Sequence, residues 1–260
     1  MQVMTMNRAD KPLLNIEDIA VSYGNGPVIS DVSIAIDGGA LVGLIGPNGA
    51  GKTTLMLAAA GQFRPVSGHV YFEGGDVYEH NRCFKQKVGY VHEDPFFYPY
   101  LTAEEFLRFV AGVKNVPEND LEDQIHSLLK LVGLVAEREK VTAALSMGMR
   151  KKLAIATAMI GRPRILFLDE ALNGIDIESI YRIKHSLQEF AAAGGAVILS
   201  THTLEVVERL CDRYLLLKNG RVIADLKADE VTGRLDAGEG GSLERYVIQM
   251  LSDPDDVDLP

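Results

Sequence analysis

No tryptophan and only two cysteines occur in the 260 residues. Cys83 and Cys211 lie far apart, and neither sits in a CxxC or Cys/His spacing, which excludes a disulfide framework and a structural zinc site. Reduced thiols in a reducing compartment fit. Uninterrupted apolar runs of about 18 residues are also missing. The richest segments, Arg164-Ile-Leu-Phe-Leu-Asp169 and Ala196-Val-Ile-Leu-Ser200, have the length of strands. Any membrane the protein serves must be crossed by another chain. Met1 to Lys11 is polar and lacks the apolar stretch of a secretory signal, so the chain is expected to stay inside the cell. Positive charge is scarce. The 26 Lys and Arg against 36 Asp and Glu leave a formal net charge of −10, which repels phosphate backbones and leaves no nucleic acid among the expected partners.

The length suits one large α/β domain, or a core with a second lobe, with enough interior to need no disulfides. Residues 13–23 and 28–38 alternate apolar and polar positions around Gly24-Asn25-Gly26-Pro27, which predicts an antiparallel hairpin. Ala40-Leu-Val-Gly-Leu-Ile45 is a short apolar run entering a glycine-rich loop and then a helix from about Lys52, the pattern of a buried parallel strand. Between about 94 and 160 the periodicity turns helical, over Leu101 to Val113, Asn119 to Val132 and Ser146 to Ile160. This predicts an inserted helical lobe. Strand patterns return at 164–169, 196–200, 213–218 and 221–225, with a helix over 176–193, so βαβ alternation resumes and the α/β core is discontinuous, about 13–93 and 161–226. The remaining 227–260 reads as a partly disordered extension, with a short helix over 242–251 and an acidic end.

Gly46-Pro-Asn-Gly-Ala-Gly-Lys-Thr53 matches the G-x-x-x-x-G-K-[ST] phosphate loop, whose glycines let successive backbone N–H groups face a nucleotide β-phosphate. Its four fixed positions recur by chance in such a chain on the order of once in a hundred. Gly46, Pro47, Asn48, Gly49, Ala50, Gly51, Lys52, Thr53 and Thr54 are thus the candidate ATP-binding residues, with Lys52 on the β- and γ-phosphates and the Thr53 hydroxyl on Mg²⁺. Arg164-Ile-Leu-Phe-Leu-Asp-Glu170 is a buried strand ending in two acids. Asp169 is the candidate partner of Mg²⁺ through water, and Glu170 the candidate general base. Taken alone, the same segment also reads as a strand meeting solvent.

Further elements follow in the order found in ABC ATPases. Leu145-Ser-Met-Gly-Met-Arg150 resembles that family's LSGGQ signature, departing at Met147 and Met149 but keeping Ser146 and Gly148. A helix N-terminus there suits an anion, although Ser146 is equally a good N-cap. The resemblance implies that this signature serves the γ-phosphate held by a partner subunit. It also implies that Tyr23 stacks on adenine, that His202 in Ser200-Thr-His hydrogen-bonds the γ-phosphate, and that Asp176, ending the D-loop-like Ala171-Leu-Asn-Gly-Ile-Asp176, reaches across a dimer. Gly89-Tyr-Val-His-Glu-Asp94 resembles the Q-loop segment, with Glu93 where the family usually has glutamine. A carboxylate there binds metal more strongly but repels the γ-phosphate; metal contact and a plain strand-end acid are both open.

The resemblance covers residues 13–226. It implies a P-loop NTPase, RecA-like core with an antiparallel β portion and an inserted α-helical subdomain. The implied activity is ATP hydrolysis with ATP and Mg²⁺, in a homodimer or a heterodimer with another ABC ATPase subunit. The expected place is peripheral, at the cytoplasmic face of the membrane, against a separate transmembrane permease. The combination of Glu93 with Ser-Met-Gly-Met-Arg-Lys-Lys-Leu153 resembles the ATPases of ABC-2-type exporters, so export is the expected direction. A soluble ABC ATPase with a non-transport role is the alternative, against which stand a single phosphate loop and the lack of sustained heptads.

Overall fold

A computed structural model describes residues 11–24, 26–231 and 243–251. The polar start through residue 10, Asn25 of the predicted turn, the Gly-rich stretch 237–242 and the acidic 252–260 lie outside the described residues.

Two sheets form. In the first, β1 (Leu14–Ser22) pairs antiparallel with β2 (Pro27–Ile36) and, on its other side, with β4 (Ser67–Phe72), which pairs in turn with β5 (Gly75–Asp76). The alternation around residue 25 predicts the β1–β2 pair; β4 and β5 are additional. In β4 only Val70 and Phe72 are buried, so its apolar pattern is too sparse to stand out. The second sheet has six strands in the order β10-β9-β3-β8-β7-β6. These are β3 (Leu41–Ile45), β6 (Val88–Val91), β7 (Ile165–Asp169), β8 (Ala196–Ser200), β9 (Arg213–Lys218) and β10 (Arg221–Lys227). All neighbours are parallel except β9 and β10. Every residue of β3, β7 and β8 is buried, which is why these strands read as unbroken apolar runs.

Helix α1 (Lys52–Ala59) lies between the sheets. Its Leu55, Met56, Ala58 and Ala59 share one core with Ile16, Ile29 and Ile36 of the first sheet and with Leu44, Phe167, Ile198 and Leu215 of the second. Because both faces are buried, α1 shows no polar stripe. Helix α2 (Asn81–Lys87) precedes β6. The sequence pattern predicts no helix over 81–87, and β6, the strand before Glu93, is only four residues long, with Gly89 at its centre, where a side chain would strike the Ala158 carbonyl.

Between β6 and β7 stand α3 (Ala103–Val113), α4 (Glu118–Leu131) and α5 (Met147–Met159). Thr102 and Glu105 form a capping box on α3. Lys114, just past α3, donates to the carbonyls of Val88 and Ile160, each at 3.1 Å, and so ties this lobe to the core. Burial lowers its pKa to about 8. Beyond β7 come α6 (Ile177–Ala192), α7 (Leu204–Leu210) and α8 (Leu243–Leu251), whose Leu243 and Val247 are buried in the main core. None of the helices among the described residues is long and apolar enough to cross a membrane.

Glu104 of α3 meets Arg108 and Arg138, and Glu122 of α4 meets the same two guanidinium groups. Hydrogen bonds from Arg138 and Arg108 outweigh burial and hold the Glu104 carboxyl at about 2, below its ordinary 4.5. A depressed folded-state pKa contributes stability above pH 4.5 that is lost as pH falls toward 2. Glu104→Gln is therefore expected to flatten the acid limb of thermal stability across that window. At neutral pH it should lower the melting midpoint by about 2–4 °C, as for a loss of about 1 kcal/mol after solvent screening. Calorimetry from pH 2 to 7 on both proteins checks this.

Candidate functional site

The parallel strands β3, β8 and β7 end side by side, with Leu44 opposite Ser200 and Ser200 opposite Asp169. The glycine-rich loop, Thr201–His202 and Asp169–Glu170 therefore leave the sheet at one edge, where ligands gather in open α/β sheets. The loop passes close to other main chain. A side chain on Gly46 would come 2.2 Å from the Leu217 carbonyl, and Gly51, at φ 103°, lies against Ile29. The β9–β10 turn braces the loop, because Gly220 N donates to Ala50 O and Gly220 O accepts from Ser30 N, both at 3.0 Å.

An open cleft of about 430 Å³ follows. Asn48, Gly49, Gly51, Lys52, Thr53 and Thr54 line one wall, and Glu93, Asp169, Glu170 and His202 the other. Lys52, at the start of α1, is mostly buried and donates from Nζ to the carbonyls of Gly46 (2.7 Å) and Pro47 (3.1 Å). Its charge and the free N–H groups at the start of α1 suit an anion. Thr53 points outward while Thr54 is buried. Tyr23 stands just after β1 with its ring 4.8 Å from that of Phe63 and its hydroxyl 3.3 Å from Thr54 Oγ1, leaving an exposed aromatic ring near the base of α1.

The acids are held differently. Asp169 is 2% exposed and accepts from Ser200 Oγ at 2.5 Å. Glu170 has φ 47°, in the left-handed region, and its N–H donates to Ser200 O (3.1 Å) and Ser200 Oγ (3.2 Å). Its Oε2 accepts from Asn173 Nδ2 at 2.6 Å and lies 3.1 Å from His202 Nδ1. The ring of His202 is otherwise open to the cleft. Asn173 is thus a functional candidate that sequence reasoning passed over, although it lies three residues after Glu170 in the segment singled out for Asp176. Tyr90 is a second. Its buried hydroxyl has no hydrogen-bond partner among protein atoms. Burial first, and the neighbouring Asp169 carboxylate second, raise its pKa. It lies in the segment read for Glu93, but nothing in that pattern marks the tyrosine itself.

Thr53, Glu93, Asp169 and Glu170 make the cleft rich in oxygen donors, while no group of three or more His, Cys, Asp or Glu among the described residues is arranged to hold a metal by itself. That donor set fits a hard cation taking the rest of its shell from phosphate and water, and the orphaned Tyr90 hydroxyl beside Asp169 suits such a water. Ser146, Gly148 and Asp176 do not line the cleft. The Ser146 hydroxyl caps α5 by accepting from Met149 N at 3.3 Å. Asp176 caps α6, accepting from Ser179 N at 2.9 Å, and pairs with Lys152 Nζ at 3.1 Å. Hydrogen bonds from Ser179 and Lys152 hold the Asp176 carboxyl well below the usual carboxylate range.

A family model described as ABC transporter matches residues 29–173. An uncharacterized ABC transporter ATP-binding protein of Nostoc sp. is 35% identical over 86% of this chain and 69% of its own length. The SkfA peptide export ATP-binding protein SkfE of Bacillus subtilis is 31% identical over 82% of this chain and 89% of its own. A solved structure of the ATP-binding subunit of an ABC transporter superposes with a TM-score of 0.86 at 31% identity, covering 92% of this chain and all of that one.

Ser200 serves both acids at once. Ser200→Ala leaves the buried Asp169 short of a donor, and an expected loss of about 1–3 kcal/mol follows. Urea denaturation should show a lower midpoint at unchanged slope, and an unchanged midpoint would remove Ser200 from this role.

Proposed function

The chain belongs to the ABC transporter family and is an ATP-binding, ATP-hydrolysing subunit; from that premise we propose that it works as one of two cassettes that share their nucleotide sites and drive export through a separate permease. The observation that carries this reading is the division of the motifs. The phosphate loop, Glu93, Asp169, Glu170 and His202 converge on one cleft, whereas Ser146 and Gly148 stand outside it at the start of α5, next to the exposed Met147. A signature that cannot serve its own chain's cleft is available to a partner's.

In this reading Lys52 and the loop amides bind the β- and γ-phosphates, and Tyr23 offers its ring to adenine. Thr53, Asp169 and Glu93 would hold Mg²⁺, which when bound neutralises charge on the β- and γ-oxygens. Glu170 accepts the proton of the attacking water, and its bonds to Asn173 and His202 set the direction of the carboxylate. His202 hydrogen-bonds the γ-phosphate, and Asp176 links the two sites. We divide the cassette as residues 13–93 and 161–226 for the core, 94–160 for the helical lobe and 227–260 for the extension. The permease would dock on the lobe beside Glu93, where Phe96, Tyr98 and Phe109 are exposed and in mutual ring contact through Tyr98. Export is supported by the name of the SkfE relative and by the resemblance to ABC-2-type ATPases. The chain would then lie at the cytoplasmic face of the membrane.

Two experiments test the reading. Glu170→Gln should preserve ATP binding, remove most turnover and accumulate an ATP-bound dimer, because closure is no longer relieved by hydrolysis. Near-normal turnover sinks the assignment of the base. Sharing of sites is tested by mixing Lys52→Ala with Ser146→Arg. Each homodimer should be inactive, while a mixed dimer retains one whole site, so that random mixing restores up to roughly a quarter of wild-type sites if they act independently. Differentially tagged mixtures that form dimers with ATP but neither hydrolyse nor trap one ATP per pair would exclude shared sites.

A further inference from the structure

The nucleotide cleft accounts for the side chain of Glu170 but not for its main chain. At φ 47° the residue leaves the β7 ladder, and its carbonyl needs a donor from elsewhere. Lys151 of α5 supplies it, with Nζ 3.2 Å from Glu170 O in a buried setting. Lys151 itself is 8% exposed. An apolar side chain of similar length would fill that space without the cost of burying an ammonium, so packing alone does not explain a lysine here.

Neighbouring positions of the same helix grip the rest of the segment that follows Glu170. Lys152 Nζ reaches Asp176 Oδ2 at 3.1 Å and Ser179 Oγ at 3.3 Å. Gly148 lies so near Gly174 that a side chain on it would come 2.9 Å from the Gly174 carbonyl. The first two turns of α5 thus hold segment 170–176 at its beginning, middle and end.

We propose that Lys151 is a positioning residue for Glu170, fixing the base through its main-chain carbonyl and joining it to the signature end of α5. The proposal rests on the reading of Glu170 as general base. Its consequence is that the end of α5 serving the partner's nucleotide and the base serving the chain's own nucleotide move as one body. A carboxylate displaced by about 1 Å loses on the order of a hundredfold in rate, so a lost anchor shows in turnover before it shows in binding.

The test uses the full chain with Mg-ATP, measuring ATP affinity with a fluorescent analogue, then kcat, and nucleotide trapping. Lys151→Met keeps the stem and removes the donors. It should bind ATP within about twofold of wild type and lose about 10- to 100-fold in kcat, and Lys151→Arg should recover most of that loss. In a Glu170→Gln background, Lys151→Met should cause no further loss of residual rate and should still trap ATP, because a group acting through Glu170 has nothing left to act on. Wild-type kcat in Lys151→Met while Glu170→Gln is inactive overturns the proposal; so does an equal further loss in the Glu170→Gln background. Active Glu170→Gln instead overturns the assignment of the base, a separate result. If Lys151→Met does not fold, Lys151→Leu, which also lacks a donor, takes its place. A reduced kcat at unchanged affinity, absent in the Glu170→Gln background, then supports the proposal, and a wild-type kcat overturns it.

Discussion

The chemistry of this cassette depends on the register of three short parallel strands. With Leu44, Ser200 and Asp169 side by side across β3, β8 and β7, three loops distant in sequence emerge within reach of one another. A slip of one residue in β7 would turn Asp169 to the other face of the sheet and leave Ser200 without its acceptor. Burial on both faces makes such a slip costly, because every side chain of these strands is enclosed. The same burial explains how Glu170 can be held in a left-handed conformation. Ser200 fixes its N–H, Lys151 its carbonyl and Asn173 its carboxylate, so the surroundings over-determine a shape that an isolated chain avoids.

How an acidic protein holds a polyphosphate is also a matter of range. The net charge of −10 is spread over the surface and screened beyond about 8 Å at physiological salt. In the proposed site the loop amides, the start of α1 and the mostly buried Lys52 would act on a phosphate at contact distance. The local field therefore decides, and the acids opposite it favour a phosphate that arrives with a cation.

What could be read beforehand was whatever the backbone demands locally. A loop that must curl around phosphate needs glycine at fixed offsets, and strands buried on both faces need unbroken apolar runs, so Gly46–Thr53, β3, β7 and β8 were legible. The wide apolar and polar alternation around residue 25 gave β1 and β2. Short or sparsely buried strands were less so: β4 buries only two side chains, and β6 is four residues long with Gly89 lying against Ala158 of α5. Single residues whose meaning lies in a distant contact were equally silent. Lys151 acquires its role only by meeting a carbonyl 19 residues away, and Tyr90 by lying next to Asp169. Asn173 was within reach, since its segment had been singled out for Asp176.

The strand order has a consequence for how the protein comes into being. Both neighbours of β3, namely β8 and β9, lie beyond residue 195, and the Gly220 brace of the phosphate loop lies later still. The stretch from 29 to 173 that carries the family resemblance holds the whole phosphate loop and neither of the strands that flank its approach. During synthesis, β3 waits with both edges unpaired while some 150 further residues emerge, a long-range closure of the kind that slows folding and leaves strand edges open to wrong partners. The phosphate loop is thus encoded long before the strands that hold its approach in place.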